Sequence, residues 1–292
     1  MIIVTGAGGQ LGKVVVEHLL KRLSRAEIVA ATRNPEDLRD LADHLVAIRH
    51  CDFADPGDLD TAFADGNKAL IISVDKLGAE ARHLHRNAIG ACAGAGVDRI
   101  FYTSHAGARA DSPFAPARQH IKTEHDLASS GVAFTALRHG FYAESCLHMI
   151  GDGLKAGELR VPEDGPVSWT ARADLAAADA ALLAGGVQYD GATPPLTASR
   201  AVTMAEIASI ASEVTGRHIK HTVLSDDEWK ASRIAAGMPE MYAEMLLGTF
   251  QAARHGDFAA TDPLLKELLG REPTSMHDVL SNALVTPDEI RT

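Results

Sequence analysis

The chain has 292 residues, 46% of them hydrophobic and 23% charged, a globular composition long enough for a large domain with a smaller lobe. Its formal charge of −11, with no run of Lys or Arg, argues against nucleic acid as a partner, because neutralising phosphates needs a basic surface. No apolar run is long enough to span a bilayer and the first strand begins at once, so the expectation is a soluble cytoplasmic protein with no leader and no membrane partner. Cys51, Cys92 and Cys146 stand apart, without the spacing of a disulfide framework or a zinc site; they read as small buried residues, and no metal is expected.

Short β-rich runs alternate with helical periodicity along the first two thirds of the chain. Strands are predicted at Ile2–Thr5, Glu27–Thr32, Val46–His50, Ala69–Val74, Arg99–Thr103 and Phe134–Arg138, mostly apolar on consecutive residues as in a sheet covered on both faces. Helices are predicted at Leu11–Leu23, Pro56–Ala64, Glu80–Ala95 and His120–Ser130, with "AGAGVD" and "ASSGVA" as helix ends. This alternation implies an α/β fold: a Rossmann-type, doubly wound parallel sheet. Beyond residue 140, "GDGLKAGELRVPEDGPVSW" reads as turn-rich, a helix starts at Ala173, and a strand in "PPLTASRAV" precedes a helix capped by Thr203 and Glu206. From Ser225 the chain is mostly helical. The expected division is 1–150 as a dinucleotide-binding domain, with returns near 168–203, and 204–292 as a small, mostly helical C-terminal domain.

Gly6, Gly9 and Gly12 form GxxGxxG between the first strand and the first helix. That context suits a pyrophosphate: the tight turn lets the backbone approach closely, and the helix N-terminus offers its dipole to an anion. The loop residues Gly6, Gly8, Gly9, Gln10, Leu11 and Gly12 are therefore candidate cofactor contacts. Arg33, in "VAATRNPED", stands where an enzyme selecting NAD often carries an acid; a guanidinium pairs with a 2′-phosphate, so the expected cofactor is NADPH. Asp52 and Phe53, in "HCDFADPGDL", either meet the adenine edge or serve the turn before the next helix. Ser73, Val74 and Asp75 end the fourth strand, and Thr103 and Ser104 the fifth, on the edge where such sheets bind ligands.

"TGAGGQLG", "TRNPED", "CDFADPGDL", "YTSHAG", "TALRHGFYAES" and "TARADLAAADAALL" together resemble the NmrA-like branch of atypical short-chain dehydrogenase/reductases, a likeness running over nearly the whole chain. The resemblance implies an extended Rossmann domain, a small C-terminal domain and an acceptor bound in the cleft between them. It also implies that Arg138, His139, Gly140, Phe141 and Tyr142 line the nicotinamide and acceptor site. His139 and Tyr142 are then candidate proton donors, Phe141 a platform for a flat ring. By the same likeness, "VSWTARADLA" closes over the site, with Asp174 as a helix cap, Trp169 as packing and Arg172 beside them.

Short-chain reductases usually carry a Tyr and a Lys four positions apart, the Lys lowering the Tyr pKa for proton exchange. With Glu124 marking the helix, the family offsets place Pro116 at the Tyr position and His120 at the Lys position, so the pair is absent. Tyr102 stands elsewhere, and a structural place on the helix surface is expected for His120. Direct hydride transfer to an electrophilic ring does not need that pair. The expected function is an NADPH-dependent oxidoreductase passing hydride to a quinone or similar electrophilic aromatic acceptor; the alternative is an NmrA-type dinucleotide-binding redox sensor without turnover. Trp229, Met238, Met241, Tyr242, Met245 and Phe250 are apolar at helical spacing, for core packing, a homodimer contact or the wall of an acceptor cleft.

Overall fold

A computed structural model describes residues 1–39, 46–185 and 189–285, with Val285 as backbone only. The chain forms two compact units: residues 1–110, 116–138 and 173–194 make the first, and 111–115, 139–172 and 195–292 the second.

The first unit is built on a seven-stranded parallel sheet in the order β3-β2-β1-β4-β5-β6-β8. Its strands are β1 (Ile2–Val4), β2 (Ile28–Thr32), β3 (Ala47–His50), β4 (Lys68–Ile71), β5 (Arg99–His105), β6 (Ala133–His139) and β8 (Gly191–Ala192), with β7 lying in the other unit. β1 pairs with β2 on one side and β4 on the other, Ile3 facing Val29 and Ala69. Every residue of β1 and β2 is buried, so their sequences, apolar except for Thr32, follow from cover on both faces. Among the described residues, the helices α1 (Gln10–Leu20), α2 (Pro56–Phe63), α3 (Gly78–Gly94) and α4 (Ala115–Ala128) lie between successive strands from β1 to β6. α1 buries Leu11, Val15 and Leu19 at four-residue spacing, one stripe of its surface. On one sheet face, Leu59 and Phe63 of α2 and Ile89 and Cys92 of α3 join Ile3, Val29, Ile71 and Ile100 in a single core. An Arg82 to Asp126 pair, bidentate at 2.8 Å on both bonds, fastens α3 to α4. All three cysteines are buried and free, and burial with nearby carboxylates pushes the Cys51 thiol up to about 12.

α4 starts at Ala115, five residues before the predicted start, because Pro116 sits in the first turn, where its missing N–H costs no bond. The second unit departs further from expectation. The stretch expected to be turn-rich instead holds α5 (Ala143–Ala156) and β7 (Glu158–Pro162). α5 runs through Gly153 because the next segment folds tightly back on it: a Cβ there would lie 2.8 Å from the Glu158 carbonyl oxygen. β7 pairs in parallel with β9 (Lys220–Leu224), Glu158 facing Lys220, and this ladder groups residues 143–162 with the C-terminal part of the chain. No strand forms in "PPLTASRAV"; Leu196 and Val202 make only isolated bridges, to His139 and Val167.

α6 (Arg172–Leu183) follows β7 and is shared between the units in sequence. Then come α7 (Met204–Thr215), α8 (Asp226–Ala235), α9 (Glu240–Arg254), α10 (Leu264–Leu269) and α11 (Met276–Val285). Thr203 and Ser225 each complete a reciprocal capping box, with Glu206 and Glu228. Trp229 of α8 meets Phe250 of α9 edge to face at 5.3 Å in the core, whereas Met241 and Tyr242 at the start of α9 are exposed. No helix among the described residues is long and apolar enough to cross a membrane.

Candidate functional site

Thr5 locks the end of β1 to β4. Its backbone N–H and its hydroxyl both donate to the Leu70 carbonyl, at 3.0 and 2.9 Å, and Oγ1 accepts the Ile72 N–H at 3.1 Å. Gly6 then turns with φ +61°, in the left-handed region, and the Gly9 N–H donates to the Gly6 carbonyl at 2.9 Å. Gln10 opens α1, with Leu11 and Gly12 buried behind it; at Gly12 only the absence of a side chain lets helix and turn meet. No side chain caps this helix and its first turn holds no acid, so the positive end of its dipole carries no counter-charge from its own turn.

Beside the loop lies a cavity of about 340 Å³. Gly6, Gly8 and Gly9 form one wall, Thr32, Arg33 and Asn34 with Asp37 a second, and Cys51, Asp52 and Phe53 a third. Residues 72–76, which follow β4, and Leu84 of α3 complete it. Nine of the residues expected from sequence thus meet around one space: Gly6, Gly8, Gly9, Arg33, Asp52, Phe53, Ser73, Val74 and Asp75. Arg33 is exposed, and no hydrogen bond or ion pair ties its guanidinium to another described residue. Asp52 serves the turn, its Oδ1 accepting the Ala54 N–H at 2.9 Å, while Asp55 is the actual cap of α2. Asp52 thus holds the turn and also lines the cavity.

Along the carboxyl edge of the sheet, polar side chains form two hydrogen-bonded groups. The Ser73 N–H donates to Thr103 Oγ1 at 2.8 Å, and the Ser104 hydroxyl donates to Glu124, which also holds Arg138. Ser73 Oγ lies 3.3 Å from His85 Nε2, which accepts the Val74 N–H at 3.1 Å. That bond places the His85 proton on Nδ1, 3.1 Å from Thr123 Oγ1, and burial pushes the imidazole down to about 4, so the ring is neutral. Tyr102 Oη lies 2.9 Å from His120 Nδ1 and 3.5 Å from Ser73 Oγ; burial raises the phenol above its ordinary range. His120 is thus bonded inward to β5 rather than standing alone on the helix surface. The sequence does not reveal the roles of Tyr102 and His85, because the bonded pairs lie 11 to 38 positions apart and no local pattern joins them.

The remaining predicted residues, apart from Asp174 of the first unit, belong to the second unit. His139 is 1% exposed, and the Gly140 N–H donates to the Leu196 carbonyl at 2.8 Å. Phe141 is half-buried and meets Trp169 edge to face at 5.0 Å and Phe258 at 5.3 Å. Tyr142, also half-buried, carries the Arg172 guanidinium 5.0 Å from its ring centre, and the Arg172 N–H donates to the Glu144 carboxylate at 3.1 Å. Asp174, in the first turn of α6, is buried. Among the described residues no cluster of His, Cys, Asp or Glu is arranged to hold a metal ion.

The sheet order, the glycine turn closing on a helix N-terminus and the cavity beside it are those of a Rossmann-type dinucleotide-binding protein. The chain belongs to the NmrA-like family, whose sequence model matches residues 1–280. It is 34% identical to quinone oxidoreductase 2 of Escherichia coli (strain K12) over 285 residues, 97% of this chain and 98% of that protein. The crystal structure of the E. coli NADPH-dependent quinone oxidoreductase complexed with NADPH matches with a TM-score of 0.91 and 33% identity, covering 97% of this chain and 99% of that one. The Citrobacter sp. triphenylmethane reductase complexed with NADP(H) matches with a TM-score of 0.90 and 33% identity, covering 97% and 100%.

Proposed function

We propose that the protein is an NADPH-dependent oxidoreductase that transfers hydride to a quinone or a similar electrophilic aromatic acceptor. The observation that carries this reading is the cavity beside the glycine turn, lined by an Arg33 guanidinium with no partner among the described residues, in a chain that matches NADPH-bound reductases along nearly its whole length. The residues present fit the cofactor: a glycine turn that lines the cavity and closes on an uncapped helix N-terminus, and at the cavity Arg33, a cation with no partner among the described residues where a 2′-phosphate needs one. In this reading the loop from Gly6 to Gly12 holds the pyrophosphate and Arg33 the 2′-phosphate. Asp52 and Phe53 border the adenine, and Ser73 to Asp75 the dinucleotide's path along the sheet edge. When bound, NADPH supplies the hydride.

Residues 204–292 serve as the acceptor lobe, with Phe141 as the aromatic surface for a flat ring. Of the two proton donors suggested by sequence, His139 is almost fully buried and Tyr142 half-exposed, so Tyr142 is the one of the two able to meet an acceptor. Pro116 and His120 occupy the places of the usual Tyr–Lys pair, which supports direct hydride transfer to an electrophilic ring over carbonyl reduction. The missing pair equally suits a sensor that binds dinucleotide without turnover. Mixing the purified protein with NADPH and a panel of quinones separates the two: acceptor-dependent loss of nicotinamide absorbance supports the enzyme. Binding without oxidation, with preference for the oxidised cofactor, supports the sensor.

A further inference from the structure

The cavity wall that follows β2 carries two opposite charges four positions apart, Arg33 and Asp37, both exposed. Neither side chain has a hydrogen bond or ion pair with any described residue, and the two do not pair with each other. The neighbouring acid, Glu36, is engaged by Arg39 at 2.9 Å. Asp37 is fixed in place by its backbone: its N–H donates to the Asn34 carbonyl at 3.1 Å, and Leu38 beside it is buried. That turn sets Asp37 against the glycine loop, since a Cβ added at Gly8 would lie 3.7 Å from Asp37 Cβ and 2.9 Å from Thr32 Oγ1.

We propose that Asp37 is a specificity-determining residue that opposes Arg33, so that the site accepts NADH as well as NADPH. The assignment rests on the reading of this cavity as the dinucleotide site. A 2′-phosphate carries close to two negative charges, which Arg33 attracts and Asp37 repels. Opposite charges on one wall largely cancel at distances beyond their own separation, so the gain from Arg33 is confined to direct contact with the phosphate. A ribose with a free 2′-hydroxyl meets the reverse situation. Its O–H can donate to the carboxylate in a charge-assisted hydrogen bond that the phosphorylated ribose cannot make, and it has no need of the guanidinium. A cation alone on this wall would select NADPH and an acid alone NADH; the two together narrow the difference. Because neither group is committed to another described side chain, each is available to the cofactor that suits it.

Calorimetric titration of the cofactor-free protein with NADPH and with NADH tests this in wild type, Asp37→Asn and Asp37→Ala. The wild type is expected to bind both. Asp37→Asn keeps the shape and one acceptor oxygen but removes the charge, so NADPH is expected to tighten about fivefold at low salt, less at high salt, while NADH does not tighten. Asp37→Ala also removes the acceptor, and NADH is expected to weaken by about five- to tenfold while NADPH again tightens. An unchanged ratio of the two affinities in both variants overturns the assignment. So does an equal gain for both nucleotides in Asp37→Asn, which would be general repulsion of the shared pyrophosphate, and so does a ratio that shifts in Asp52→Asn but in neither Asp37 variant. A wild type that binds NADPH without measurable NADH binding overturns it as well. A wild type that binds neither nucleotide overturns the cavity reading itself, and the assignment with it. Because affinity is read rather than turnover, a protein that binds both nucleotides but passes hydride to no acceptor fails as a reductase, while the affinity ratio still decides the role of Asp37.

Discussion

Glu124 and Arg138 form a two-bond ion pair between α4 and β6, with Nη2 to Oε2 at 2.7 Å and Nε to Oε1 at 3.1 Å, the carboxylate side chain 8% exposed and the guanidinium 27%. Ser104 Oγ donates to the same Oε1 at 2.5 Å, so a single carboxylate joins β5, α4 and β6. Replacing Glu124 by Ala leaves a mostly buried cation and a buried hydroxyl without their acceptor. The expected loss is about 2–3 kcal/mol, below the cost of breaking a fully buried pair because water reaches part of the guanidinium. Urea unfolding of Glu124→Ala at neutral pH checks this; an unchanged midpoint would show the pair to be energetically idle.

Arg33 is the discriminator between cofactors. Its guanidinium lies at the cavity rim with no protein partner among the described residues, so removing it disturbs no internal bond. Arg33→Ala should weaken NADPH by about 1–3 kcal/mol and NADH far less, with little change in stability. Calorimetric titration with the two cofactors makes the comparison, and equal losses for both would remove Arg33 from the 2′-phosphate.

How much of the fold and site is legible in the sequence depends on the range of the interaction. The β1–turn–α1 unit and the Thr203 cap are readable because strand pattern, glycine spacing and cap chemistry all act within a few residues. The 143–162 region is not, since Gly151, Gly153 and Gly157 signal turns locally, whereas the fold uses Gly153 for close packing and only Gly157, at φ +79°, to end the helix. Arg33 and the glycines can be found as cavity residues because they lie at strand ends, where the fold gathers ligand contacts. The Tyr102–His120 bond joins a strand interior to a helix, and only the packing of α4 on β5 brings the two together.

His85 makes stability fall on the acid side. Its pKa is lowered from 6.5 to about 4 in the fold, by burial first. Between those values the unfolded chain takes up a proton that the folded chain refuses, so this residue's contribution declines as pH drops from 6.5 towards 4. The whole decline amounts to about 3 kcal/mol, because a tenfold change in proton affinity is worth about 1.4 kcal/mol. Urea unfolding at pH 7, 6 and 5 should show the slope, and His85→Gln, unable to titrate, should flatten it while lowering stability at pH 7. The same slope in the variant would place the acid sensitivity elsewhere.

Gly12 separates the pyrophosphate from the 2′-phosphate. A Cβ at this position would lie 2.3 Å from the Gly6 carbonyl oxygen and 2.8 Å from Ala7 Cα, both backbone atoms that cannot rotate aside. Gly12→Ala must therefore push α1 off the turn, with an expected cost of about 1–3 kcal/mol in stability. Because the displaced element is the one offered to the pyrophosphate, which both cofactors carry, NADPH and NADH should weaken by the same factor, the opposite of the Arg33→Ala pattern. Thermal unfolding together with binding of both cofactors tests this, and a selective loss of NADPH in Gly12→Ala would mean that the turn does not cradle the shared phosphates.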